Sequence, residues 1–430
     1  MKEGKLSHSV RKTILFALDG LIMQYAVSAS GYGNNLYATA LGLPDSKLGL
    51  INLVSNAVGC VALLPLGVLG DRCKHAKTLP ALIPLFISFV YLFFGSVPLF
   101  GALAIPFYFV GLGLTSGLYG SHSAPWLTLL GTVANDDERN RILAVRNICI
   151  YFSGMAAPLI FSYFLARAGS ADAKLNVYRI FYYINGVASL IAAIIIFLHK
   201  NDDRPISHEH SVSLATFRKA LHDMFSSKEF RSFFFCILFF YMSWHLDWSL
   251  WYIGEIRYIG MNEVQYGYTN MLTSLVECIS IPVWARYNAR KASNLDRSLA
   301  WGSGALGMAM IVMLVCIGLF PVGSRQWPFI ISASVVHFAV PALTLAASQI
   351  ILLLTPERNR ALCVSIYTMA IMLSNSIMPY IGVKIYTAIG ENVHTFTTLY
   401  SSFFVIRTIV TTVLIVRARR VAKRKKEIEA

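Results

Sequence analysis

The chain has 430 residues, 56% of them hydrophobic and 14% charged, with a formal net charge of +15. Its mean hydropathy is +0.58, and soluble domains carry roughly 25% charged residues, so a water-soluble globular fold is excluded. Apolar runs of about 20 residues recur along the whole chain, each long enough to cross a bilayer as a helix, and the expected class is an all-α membrane protein.

Spans are predicted near 13–38, 46–69, 78–97, 106–134, 142–166, 177–199, 231–253, 264–286, 298–320, 328–354, 362–387 and 395–416. Polar Met1–Lys12 leads straight into the first of them with no secretory cleavage signal. With both termini placed in the cytoplasm, 29 of the 37 Lys and Arg fall on that side and 7 on the other. That asymmetry is the positive-inside rule, and it predicts a multi-pass protein of the cytoplasmic membrane with cytoplasmic N- and C-termini. The basic stretch Arg417–Lys426 reads as a contact with anionic lipid headgroups, making the bilayer a partner and nucleic acid not.

The first span carries Asp19, Gln24, Asn34 and Asn35 among apolar neighbours. An ionisable group inside a span is costly and faces a cavity or a partner. Asp19 is therefore either a proton-coupling residue or a carboxylate paired with Arg11 or Lys12 near the inner surface. Asn52 and Asn56 share one face of the second span; they either line a solute path or bridge to a neighbouring helix.

A duplication organises the rest. Asp137-Glu138-Arg139-Asn140-Arg141 is echoed 219 positions later by Pro356-Glu357-Arg358-Asn359-Arg360, and Gly42–Gly49 by Gly260–Gly267 at nearly the same offset. Two matches on one offset mean two copies of one unit. The expected organisation is an N-terminal six-helix bundle at 1–199, a cytoplasmic linker at 200–230, a C-terminal six-helix bundle at 231–416 and a basic tail at 417–430. In the linker, Leu214, Phe217, Leu221, Met224 and Phe225 recur at helical spacing among Arg218, Lys219, His222 and Asp223, predicting an amphipathic helix on the membrane surface. The seven cysteines show no metal-ligand spacing.

After the second span comes Gly67-Val68-Leu69-Gly70-Asp71-Arg72-Cys73-Lys74-His75-Ala76-Lys77. This resembles the loop motif Gly-x-Leu-x-Asp-Arg-x-Gly-Arg-Lys of the major facilitator superfamily. Gly67, Leu69, Asp71 and Arg72 match; Lys74 and His75 replace a Gly and an Arg, and Lys77 keeps positive charge nearby. The resemblance implies twelve transmembrane helices in two six-helix halves, a substrate bound between the halves near the midplane, alternating access by rocking of the halves, and a monomer. It also implies that Asp71 and Arg72 help latch the cytoplasmic side. The corresponding stretch of the second half, Trp284–Lys291, keeps basic residues but lacks the Gly and the Asp.

The fourth span holds Gly113-x-x-x-Gly117, a face that lets helices approach closely, and then Ser121–Trp126 with Pro125. His122 there is either a titrating ligand or a hydrogen-bonded packing residue. In the fifth span Gly154-x-x-x-Pro158 is similar to half of the signature of the superfamily's drug/proton antiporters, with Ala157, Phe161 and Ser162 where glycines are expected. Arg146 is a boundary residue or an anion binder.

The seventh span is the richest in chemistry. Trp244, Asp247, Trp248 and Trp251 follow a helical stripe that Glu255 continues, and His245 lies about 200° around a straight helix from Asp247. Aromatic faces beside a carboxylate suit sugars, and equally organic cations; Trp251, Tyr252 and Glu255 read as an interfacial belt. Glu277 and His337 are further ionisable groups near mid-span, where a carboxylate can exchange protons near neutrality. The substrate-binding candidates are Gln24, Asn56, Trp244, Asp247, Trp248 and His337; the proton-coupling candidates are Asp19, Asp247 and Glu277.

No phosphate-cradling loop, nucleophile–base arrangement or zinc-ligand spacing is present, so the chain is not expected to be an enzyme or to hold a cofactor. The expected function is secondary active transport of a small polar organic solute, a sugar or glycoside preferred, by proton-coupled symport, with sodium as the other coupling ion. A weaker resemblance, through Asp19 and the charged loop after the fourth span, is to glycoside–pentoside–hexuronide cation symporters. The alternatives are a proton-driven drug or metabolite exporter and a non-transporting sensor of the same fold.

Overall fold

The computed structural model describes residues 2–134, 136–199, 214–291, 293–355 and 360–429, and no strand occurs among them. Ten helical stretches there are long and apolar enough to cross a membrane, so this is a multi-pass helical membrane protein. Two compact units are formed: Met1–Pro44 with Val54–Ser211, and Asp45–Leu53 with Val212–Ala430.

The first unit contains α1 (Lys2–Ala40), α3 (Thr78–Ser96), α4 (Ala104–Val133), α5 (Asp136–Arg167), α6 (Ala171–Phe197) and the larger part of α2 (Gly49–Arg72). Its packing follows the sequence closely. α1 lies along α5 and α6, and α3 along α4 and α6. Gly113 and Gly117 receive Val58 of α2, whose side chain comes within 3.0 Å of where a Cβ would stand, as the small-residue spacing predicts. α3 and α4 are separated by a 3-10 segment at Val97–Leu103 that turns at Gly101, φ +55°, a conformation that only glycine adopts without strain. α6 starts at Ser170, whose hydroxyl accepts from Ala173 N, satisfying one of the orphan amides of a helix start. Lys77 Nζ donates to the carbonyl oxygens of Phe197 and His199, at 2.9 and 2.7 Å, tying the start of α3 to the end of α6. The backbone of Gly67, Leu69, Asp71 and Arg72 closes α2; their side chains lie outside the described residues, as do Pro356–Asn359.

The second unit contains α7 (Leu214–Ser226), α8 (Lys228–His245), α9 (Trp248–Ile253), α10 (Glu263–Arg290), α11 (Ser293–Leu319), α12 (Gln326–Val336), α13 (Val340–Leu354), α14 (Arg360–Ile389) and α15 (Val393–Glu429). α7 is a short helix of 13 residues at the start of the second unit's longer segment. Ser227 caps α8 through Phe230 N, and Asn262 with Gln265 forms a reciprocal capping box at α10.

Two spans that read as continuous in the sequence are interrupted. The seventh breaks at Leu246–Asp247 between α8 and α9, then widens to a π-type turn over Gly254–Ile259 that stops at Gly260, φ +78°. The tenth tightens to a 3-10 turn at His337–Ala339. Pro341 explains that second break: it has no N–H to return to the His337 carbonyl, which accepts instead from Val340 N. Both breaks fall at residues singled out for function.

Candidate functional site

In the first unit the polar cluster is built on α1, α4 and α5. Asp19 is fully buried. Trp126 donates its indole N–H to Asp19 Oδ2 at 2.9 Å, and Arg146 Nε stands 3.7 Å from the same oxygen. The Arg146 guanidinium also covers the Trp126 ring, 3.9 Å from its centroid, an additional cation–π attraction. The ion pair is too long for a hydrogen bond, and Asp19 Oδ1 and Arg146 Nε are buried without a hydrogen-bond partner among the described residues. A carboxylate held on one oxygen by a neutral donor, with its other oxygen unbonded, can take up a proton without losing its anchor.

The partner of Asp19 differs from the sequence expectation. Lys12 is engaged by the Val133 carbonyl at 2.6 Å and by Glu138 at 3.4 Å, and Arg146 fills the role. Gln24 donates to Ser28 Oγ at 3.0 Å on its own helix. Asn34 Oδ1 accepts from Tyr182. Asn56 is half-buried in α2. His122 is buried and sits 3.2 Å from the Pro80 carbonyl, the packing arrangement of the two readings.

In the second unit the break falls after α8, and Trp244 and Trp248 on either side of it stay in edge-to-face contact, ring centroids 5.6 Å apart. Asp247 is buried in an ion pair with Arg407 of α15, 2.7 Å apart, and Arg407 donates further to the carbonyl oxygens of Ser243, Trp244 and Leu306. Trp248 is 37% exposed and sits edge-on to His245, ring centroids 4.7 Å apart, while Trp244 lies against the opposite neighbours Phe240 and Tyr241 as well as His245. His245 Nδ1 is 3.0 Å from Ser374 Oγ of α14. His245 and Trp248 meet as i, i+3 neighbours across the turn at 246–247, while Asp247 is held by Arg407. Asn52 donates to Ser249 Oγ at 3.1 Å beside this break.

Glu277 of α10 and His337 form the second charged contact, Oε1 to Nδ1 at 2.9 Å, with side chains 30% and 31% exposed. The 3-10 turn caused by Pro341 presents His337 to α10. Glu255, expected in the interfacial belt, is 3% exposed at the start of the π-type turn. Among the described residues no set of three or more His, Cys, Asp or Glu is placed to hold a metal ion.

Sequence reasoning did not pair Asp247 with Arg407 or Asp19 with Trp126. The first had a signal: Arg407 is a lone cation within an apolar span, which demands an acid on another helix. The second had none, because an indole N–H is present in any tryptophan.

Multiple apolar helices carrying buried acid–base pairs define a multi-pass membrane protein. The chain belongs to the Major Facilitator Superfamily, whose family model matches residues 15–315 and 233–430. The fold is similar to that of a POT family transporter solved with 5-aminolevulinic acid, at 13% identity and a TM-score of 0.72 over 94% of this chain and 96% of that one. It is also similar to the nucleoside transporter NupG, at 13% identity and a TM-score of 0.68 over 95% and 98% of the chains. A bacterial homolog of the human lysosomal transporter Spinster, inward-facing and occupied, matches at 14% identity with a TM-score of 0.66 over 97% of each chain. No curated protein matches the sequence.

Proposed function

We propose that this chain is a proton-coupled secondary transporter of a small polar organic solute, a sugar or glycoside, working by alternating access in the cytoplasmic membrane. The topology proposed with it has twelve spans and both termini in the cytoplasm. The ten apolar stretches become twelve when Thr78–Ser123 is divided at Gly101 and the 28-residue α10 is counted. The distribution of Lys and Arg supports the orientation.

The observation that carries the coupling is the Glu277–His337 contact, a carboxylate and an imidazole 2.9 Å apart and partly exposed within the helices. A carboxylate in direct contact with an imidazole has a neighbour that can accept or return a proton, whereas a carboxylate locked on arginine does not. Glu277 is therefore proposed as a proton carrier, together with Asp19, whose arginine at 3.7 Å is too far to hydrogen-bond it, and Asp247 as the anchor of Arg407. Solute contacts are proposed at Trp244, His245, Trp248 and Ser374 in the second unit and, separately, at Gln24 and Asn56 in the first. A neutral hydroxylated solute fits this composition better than an organic cation, since Asp19 and Asp247 already face arginines.

The test combines binding with coupling. Sugars and glycosides are expected to raise the melting temperature of the purified protein, and Trp248→Ala to lose the effect. Stabilisation by lipophilic cations alone would favour the exporter reading. In proteoliposomes Glu277→Gln is expected to abolish accumulation driven by a pH gradient while leaving solute exchange intact; retained accumulation would remove Glu277 from the coupling.

A further inference from the structure

α11 and α15 run side by side in the second unit and leave between them an apolar groove of about 970 Å³. Its walls are one face of each helix. Arg297, Trp301, Gly304 and Met308 follow helical spacing on α11, and Thr411, Ile415 and Arg419 do so on α15. The small residues Ala300, Gly304 and Ala305 make the groove deep.

The two faces end in charge at the same place. Arg297 lies in the first turns of α11 and Arg419 and Lys423 in the last third of α15, and among the described residues no acidic side chain lines the groove. Arg297 and Arg419 are exposed, whereas the neighbouring Asp296 is engaged by Arg417. From Arg297 to Met308 the groove runs roughly 16 Å at 1.5 Å per residue, about half of the ~30 Å hydrocarbon core of a bilayer. Its length is that of one leaflet. Trp301, 68% exposed, stands one turn below the cations, where amphipathic rings meet headgroups. Thr411 is 9% exposed and its hydroxyl is buried without a hydrogen-bond partner among the described residues, a donor available within the groove wall.

We propose that this groove is a specific site for one anionic phospholipid. The headgroup phosphate lies on Arg297, Arg419 and Lys423, and an acyl chain follows Trp301, Gly304 and Met308 toward the membrane centre. Basic pockets between membrane helices bind anionic headgroups in this way, and the apolar depth supplies what a free anion would not need.

The test is the melting temperature of the purified full chain in neutral detergent with added dioleoyl phosphatidylglycerol, dioleoyl phosphatidylcholine or inorganic phosphate. Phosphatidylglycerol alone is expected to stabilise. Combining Arg297→Gln with Arg419→Gln is expected to raise the concentration of phosphatidylglycerol required roughly 25-fold, about fivefold per cation removed. Ala305→Phe, which obstructs the groove and leaves every cation in place, is expected to weaken the effect as well. If that variant melts below the wild type without lipid, Met308→Trp at an exposed position poses the same obstruction. Lys228→Gln, at an exposed cation that does not line the groove, is expected to retain full selectivity. Equal stabilisation by phosphatidylcholine, an effect reproduced by inorganic phosphate, an obstructed groove that keeps its selectivity, or an equal loss in Lys228→Gln would each overturn the proposal.

Discussion

Asp247 and Arg407 illustrate how a buried ion pair behaves when one member is removed. Arg407 is 1% exposed and its guanidinium is shared between one carboxylate and three carbonyl oxygens. Asp247→Ala leaves an uncompensated buried charge, and the expected loss is about 3–5 kcal/mol. Arg407→Met with Asp247→Leu removes both charges and is expected to be less damaging than Asp247→Ala alone, measured by denaturation in detergent. If the double variant were as unstable as the single one, the carbonyl contacts of Arg407 would outweigh the pair. Trp126→Phe is the corresponding probe in the first unit. It removes the indole hydrogen bond to Asp19 and keeps an aromatic surface for Arg146. The expected result is a shift in the pH profile of transport with little change in melting temperature; an unchanged profile would make the indole purely a packing group.

The two interrupted spans show where element-scale reading of a sequence succeeds and where it stops. Pro341 is visible in the sequence, and a break four residues before it follows from the missing N–H. The break at Leu246–Asp247 has no such mark in its own helix. Its signature is on α14, where a Cβ on Gly382 would run into the carbonyl oxygen of Leu246. Tertiary contact set that geometry, so local periodicity aligned Asp247 with Trp248 and missed the turn. Gly382→Ala is accordingly expected to lower stability by about 1–3 kcal/mol through overpacking and to displace His245 from Ser374; an unperturbed melting curve would show that the turn yields freely. At the end of α6, His199 lies beyond the spanning residues and packs its ring on Phe16, centroids 4.3 Å apart. Burial, with Lys77, Lys12 and Arg11 nearby, pushes its pKa down to about 4. Above about pH 6.5 the group is neutral in both the folded and the unfolded chain. As the pH falls from there toward 4 only the unfolded chain takes the proton, so stability declines through that window. His199→Phe keeps a ring on Phe16 and is expected to remove on the order of 1–2 kcal/mol of the decline by pH 5, read from melting temperatures at pH 7 and pH 5.

For the whole molecule, the class was legible because composition and periodicity are summed over hundreds of residues. Apolar runs mark the helices, and the Gly67–Lys77 stretch carried the family resemblance. The pairings were not legible: Asp19 meets Trp126 across 107 positions and Arg407 meets Asp247 across 160, and nothing local encodes a partner so distant. Glu277 and His337 stood out separately as mid-span ionisable groups, and only the three-dimensional fold joins them. The arginine pairs also have an electrical consequence. Asp19–Arg146 belongs to one unit, and Asp247–Arg407 and Asp296–Arg417 to the other, so each pair travels as a neutral dipole whenever its unit moves. A membrane potential does work of about 2.3 kcal/mol per elementary charge per 100 mV, and on a neutral pair that displacement charge cancels. Reorientation of the empty protein is therefore expected to carry no charge through these residues. Voltage dependence of the transport rate would then arise from the coupling ions rather than from these pairs.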